Sequence, residues 1–290
     1  MTAGRWLTGR RPAAGFEQFW REWRPDEAHP LPVLALHGSL TQSGMWTALA
    51  EAARSIRMLC PDQRGFGLSG DPGSDACADF AADALALARD LLPPCTVVLG
   101  HSFACSIALE VALRANARVA GVVLVDPVVR VGAPPPAAPP PSLPESFATR
   151  ADAERHFRET EEGVWTDATL RRFVDDIMLH DGEHGPWRMP YTAARLRRLR
   201  AFTASPASDY DLFAKAEAVR CPVLVFRGGM SKRFPAAAGP SFLAAFSAPA
   251  ELVVCPTSGH FPNATEPGLV IDALKGFLAG VSSRNGEAAD

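Results

Sequence analysis

The sequence predicts an α/β fold: a mostly parallel central β-sheet flanked by helices on both faces, carrying a helical cap or lid. Three observations predict it. Short, continuous apolar runs ended by Gly, Asp or Pro recur along the chain, the pattern of strands buried on both faces. Alanine- and leucine-rich segments of helical period separate them, so strand and helix alternate as in a parallel sheet. That alternation breaks after Val125 and resumes at Cys221, with a Pro-rich run and a charged helical stretch between.

Taken in order, residues 16–23 (Phe-Glu-Gln-Phe-Trp-Arg-Glu-Trp) mix aromatic and charged side chains and read as an edge strand or a helical turn. Strands are expected over 33–36, 57–60, 96–99, 119–125, 223–226 and 251–255, and helices over 45–55, 77–92, 106–115, 240–246 and 267–281. Residues 133–144, seven of them proline, cannot supply a backbone ladder and favour extended polyproline geometry, either a stiff connector or a recognition motif. From Glu145 to about Ala218 the pattern turns helical and charged, with Thr166 and Asp167 opening one of its helices. The expected organisation is a core of 1–132 and 219–290, with 133–218 the connector and lid.

Composition narrows the function. The chain has 290 residues, 47% of them hydrophobic, enough for one large core with a small appended unit. A net charge of -3 offers no field to gather nucleic acid or an anionic membrane, so a small-molecule partner is the default. No oligomeric state can be read from the pattern. Residues 1–12 carry arginines and Pro12 where a secretory signal needs an unbroken apolar run, and no stretch has the roughly 18 apolar residues of a membrane helix. The expectation is a soluble, cytoplasmic protein. Six cysteines, none in a C-x-x-C pair, read as reduced thiols rather than as disulfides or metal ligands.

The chemistry centres on Gly100-His101-Ser102-Phe103-Ala104, which ends an apolar run and precedes a helical one. A strand, a tight turn and a helix would raise the Ser102 hydroxyl above the sheet edge, beside a helix N-terminus that favours negative charge. On its own the same string fits an ordinary serine opening a helix. A serine nucleophile needs a neutral imidazole to take its proton and return it to a leaving group. His260, in Ser258-Gly259-His260-Phe261, follows the last expected strand and fits that place. His156, His180 and His184 fall in the lid and His29 in an entry loop, where surface roles are the plainer reading. An oxyanion would be held by the N–H groups of Ser39, in Leu36-His37-Gly38-Ser39, and of Phe103; the other reading of His37-Gly38 is a plain turn.

These pieces occur in a fixed order. With Trp46, Pro61-Asp62-Gln63-Arg64-Gly65-Phe66-Gly67-Leu68-Ser69, Val123-Leu124-Val125-Asp126-Pro127 and Cys221-Pro222-Val223-Leu224-Val225-Phe226-Arg227-Gly228, the set from about Leu31 to Leu278 resembles the α/β-hydrolase fold superfamily, in particular its serine-esterase-like members with a lid. In that family the Asp62–Ser69 loop is structural, with Asp62 and Arg64 tying the turn. Two departures stand out. Ala104 replaces the second elbow glycine, a mild change. The loop after the strand at 223–226, where the family commonly carries the triad acid, reads Arg227-Gly228-Gly229-Met230-Ser231-Lys232-Arg233 and holds no carboxylate. Some members draw the acid from the position of Asp126. Asp126 is therefore either the acid or a strand-end cap, in which case a Ser–His dyad remains.

The resemblance implies hydrolysis of a carboxylic ester or related acyl bond of a small, largely apolar substrate through an acyl-serine, with no metal or organic cofactor. Ser102 attacks, His260 shuttles the proton and Asp126 orients it. Leu40, Trp46 and Trp187 would contribute to the substrate pocket, though core roles for the aromatics compete. Thioesterase, lactonase and carbon–carbon bond hydrolase activities would use the same residues. A ligand-binding member that lost its acid, motivated by Met230 and Lys232, and a lyase or acyltransferase on the same scaffold are the readings of other classes. A serine at the elbow argues against haloalkane dehalogenases and epoxide hydrolases, which carry aspartate there.

Overall fold

In the computed structural model, which describes residues 4–115, 118–129, 144–180, 182 and 185–287, the apolar runs become the strands of one eight-stranded sheet. The chain lays down β1 (Gly4–Ala13), β2 (Phe16–Pro25), β3 (Val33–Leu36), β4 (Met58–Pro61), β5 (Thr96–His101), β6 (Val119–Val125), β7 (Ser146–Phe147), β8 (Leu179–His180), β9 (Trp187–Arg188), β10 (Val223–Gly228) and β11 (Ala250–Cys255). The large sheet runs β1-β2-β4-β3-β5-β6-β10-β11. From β4 to β11 the neighbours are parallel, and β1 and β2 add an antiparallel margin. Every residue of β3, β4, β5, β6 and β10 is buried, as strands covered on both faces require.

Two glycines show the two faces. A Cβ on Gly100 would lie 2.3 Å from the Ala104 carbonyl oxygen, in α3 (Ala104–Arg114), whereas one on Gly121 would lie 2.8 Å from Phe277 in α10 (Pro267–Glu287). Gly121 and Gly100 have opposite parity in the β5–β6 register, so α3 and α10 cover opposite sides. The remaining core helices are α1 (Thr47–Ala53), α2 (Cys77–Leu91), α8 (Gly239–Ala244) and α9 (Pro262–Thr265). None of the described helices is long and apolar enough to cross a membrane.

Residues 16–23 belong to an edge-side strand, β2, which resolves the first ambiguity of the sequence. Its partner β1 went unanticipated because exposed and half-buried residues mix along it, leaving no apolar run to read. Among its described residues the inserted segment holds four helices, α4 (Arg150–Thr160), α5 (Asp167–Ile177), α6 (Ala193–Thr203) and α7 (Leu212–Ala218), and Thr166 caps α5 by accepting from Thr169 N at 3.1 Å. It also contains a small antiparallel sheet, β7-β9-β8, which the helical expectation lacked because two-residue strands leave no period. Most of the Pro-rich run falls within 130–143, outside the described residues.

Polar ties join this segment to the core. Buried Arg195 of α6 pairs with buried Asp75, Arg198 Nε donates to the other Asp75 oxygen at 2.8 Å, and Asp209 caps α2 by accepting from Cys77 N and Ala78 N at 2.9 and 3.0 Å.

Candidate active site

The strand order places five loops side by side. β3 and β5 are adjacent, with Leu36 opposite Gly100, so the chain leaves them at a topological switch point where its direction across the sheet reverses. β6 neighbours β5 with Val125 opposite His101, β10 neighbours β6, and β11 neighbours β10 with Cys255 opposite Gly228. The loops carrying Ser39, Ser102, Asp126, Ser231 and His260 all emerge from these carboxyl ends.

Ser102 stands between β5 and α3 at φ 58°, a left-handed conformation that non-glycine residues adopt at a cost. Two contacts hold it: Ser102 N donates to Val125 O at 3.0 Å and Ser102 O accepts from Cys105 N at 3.1 Å. Glycine at 100 lets α3 press against the strand, while Ala104 is fully buried without obstruction, so the departure at the second elbow position is accommodated.

Ser102 Oγ lies 2.9 Å from His260 Nε2, and His260 Nδ1 lies 2.6 Å from Asp126 Oδ2. His260 is held by backbone packing: a Cβ on Gly228 would fall 1.8 Å from Gly259 O, and one on Gly259 would fall 2.0 Å from Glu162 O. His101 Nε2–H donates to His260 O at 2.8 Å, and its ring stacks on Phe261 at 5.0 Å. The loop that lacks the usual acid serves Asp126 instead. Gly228 N donates to Asp126 Oδ1 at 2.9 Å and Ser231 Oγ donates to Oδ2 at 2.6 Å. Met230 is half exposed, and Lys232, 82% exposed, reaches Glu162 at 3.6 Å, so neither enters this cluster.

Burial dominates the electrostatics. It pushes the Asp126 carboxyl up to about 6, against the hydrogen bonds from Ser231 and Gly228 that favour its anion. It holds the His260 imidazole well below its ordinary value, with Arg233 acting in the same direction. Above about pH 6 the pair is thus carboxylate and neutral imidazole. In that state Nδ1–H donates to Asp126 and Nε2 accepts the Ser102 proton.

Ser39, Leu40, Ser102, Phe103 and His260 lie on the wall of a cavity of about 540 Å³. No acceptor is paired with the N–H of Ser39 or Phe103 among the described residues. Trp46 and Trp187 are not on this wall. Trp46 ends a 3-10 turn, Ser43–Trp46, whose four residues are all buried, and its ring turns inward against His101 at 6.5 Å. Trp187 lies in the small sheet, its ring 4.7 Å from His180. The inserted segment reaches the cavity through Leu199, Arg200, Thr203, Ser208, Tyr210, Asp211, Leu212 and Phe213, none of which the sequence marked.

The Asp62 loop has a separate, structural arrangement: Asp62 accepts from Ser43 N and Leu68 N, both at 2.8 Å, and Arg64 Nε donates to Asp83 at 2.7 Å.

Comparison with known proteins bears on the fold and family. No curated protein matches the sequence. Among solved structures the chain is similar to a thermophilic esterase from Thermogutta terrifontis (23% identity, TM-score 0.66, 92% of this chain and 94% of that one). It is similar to the thioesterase domain from the curacin biosynthetic pathway (16%, 0.71, 93% and 98%) and to an N-formylmaleamic acid deformylase from Pseudomonas putida S16 (19%, 0.66, 93% and 100%). At these identities the likeness concerns the fold. A family model described as the alpha/beta hydrolase family matches residues 33–273, most of the chain, and the protein belongs to that family.

Proposed function

We propose that the protein is a serine hydrolase that cleaves a carboxylic ester or a related acyl bond through an acyl-serine intermediate. The observation that carries this reading is the unbroken hydrogen-bond chain from Ser102 through His260 to Asp126 at the edge of a cavity. Ser102 Oγ attacks the acyl carbon while its proton passes to His260 Nε2, and Asp126 stabilises the imidazolium that forms. The N–H groups of Ser39 and Phe103 hold the oxyanion. The imidazolium protonates the leaving group as the acyl–oxygen bond breaks. Water then attacks the acyl-serine with His260 as base, releasing the acid and restoring Ser102.

A cavity of about 540 Å³ suits a small molecule. Leu40, Phe103, Val128, Leu199 and Phe213 provide apolar wall for the body of the substrate. Thioesters and lactones would pass through the same steps.

Turnover of p-nitrophenyl butyrate in 18O-labelled water tests the proposal. The product acid should carry one solvent oxygen, and Ser102→Ala should lower kcat by about a thousandfold or more. Equal turnover by a folded Ser102→Ala protein would exclude Ser102 as the nucleophile.

A further inference from the structure

The cavity wall carries three charged side chains besides its histidines, Arg200, Arg233 and Asp211, and they differ in what they face. Asp211 Oδ1 caps α7, accepting from Phe213 N at 2.9 Å and Ala214 N at 3.1 Å. Arg233 lies 3.4 Å from Glu161 and 3.6 Å from Glu162. Arg200 is different. It projects from the cavity face of α6 beside Leu199 and Thr203, is half-buried, and its guanidinium meets no hydrogen-bond acceptor or carboxylate among the described residues. Its charged neighbour is Arg233, whose repulsion adds to the cost of burial; the Tyr191 phenol is the group that favours its charge.

A half-desolvated guanidinium carries a planar fork of donors that match a carboxylate, and leaving it without a counter-ion is costly. Elsewhere on the same helix Arg195 and Arg198 are both paired with Asp75, so α6 does not lack the means to neutralise its arginines. We propose that Arg200 binds a carboxylate carried by the substrate, remote from the bond that is cleaved, with Arg233 adding positive potential. The substrates are then half-esters of dicarboxylic acids or acyl compounds of the same charge pattern: an apolar stem between a scissile ester and a free carboxylate. The identity of the cleaved bond rests on the serine-hydrolase reading; the anion site does not.

Binding to the Ser102→Ala protein separates the two. Monomethyl succinate, glutarate and adipate span the possible distances, and each is compared by calorimetry with its dimethyl ester. At least one half-ester should bind about 10- to 100-fold more tightly than its diester. Adding Arg200→Gln should remove most of that preference, and Arg200→Lys, which keeps the charge and loses the fork, should retain part of it. In the enzyme with Ser102 intact, Arg200→Gln should lower the ratio of kcat/KM for half-ester over diester by a similar factor, expressed in KM. Half-esters that bind no better than their diesters, or an Arg200→Gln change that weakens both alike, would overturn the anion site. Selective binding of a half-ester without turnover by the protein bearing Ser102 would instead overturn the hydrolase reading and leave the site standing.

Discussion

Asp126 ends a buried strand at φ 44°, accepts two hydrogen bonds from the neighbouring loop and touches the imidazole of His260. The proposed mechanism uses its anion, so with a carboxyl pushed up to about 6 by burial, kcat/KM for a neutral ester should be flat above about pH 7 and fall as pH drops through about 6. Ser231→Ala removes a donor that favours the anion, which raises the carboxyl further. The acid limb should therefore move to higher pH by about one unit in a kcat/KM profile. Asp126→Asn should lower kcat by at least about a hundredfold while the far-UV spectrum stays native. Asp126 was legible because carboxylates at strand ends are few and its usual loop was empty. Ser231 was not, since a serine in a Gly-rich loop has no pattern to distinguish it until the loop is seen against β6.

Elements position these residues through close backbone approach. Gly100→Ala would put a Cβ against the Ala104 carbonyl, so the elbow helix must shift, at a cost of about 1–3 kcal/mol in urea unfolding. Loss of Ser102 reactivity should accompany it, because the same shift tilts the turn that carries the hydroxyl. The buried strands and the helices between them were readable, since continuous apolar runs and a helical period are what burial on both faces imposes. The partly exposed β1 and the two-residue strands of the insertion were not. Their backbone pairing leaves no mark in side-chain type. The pocket aromatics were misread for a related reason: a tryptophan near a loop gives no direction, and Trp46 points into the core.

At the scale of the molecule, the inserted segment completes the cavity and is attached through a buried ion pair rather than apolar packing alone. Arg195→Ala leaves Asp75 buried with Arg198 as its remaining partner, and should destabilise the protein by about 3 kcal/mol, with faster amide exchange in α6. The order of motifs was readable along the chain, and the sheet order explains why it works: five loops distant in sequence leave adjacent strands. The charge on the cavity wall was not readable, because Arg200 stands in a helix rich in arginines and only the fold tells which one faces the cavity.

The central claim is that Ser102 is a nucleophile driven by His260. Treatment with a fluorophosphonate, followed by intact mass and peptide mapping, measures it directly. One adduct per chain on Ser102, none on Ser102→Ala, and labelling slowed by at least about a hundredfold in His260→Ala are the expected results. A folded protein that stays unmodified, or one modified at another residue, would contradict it.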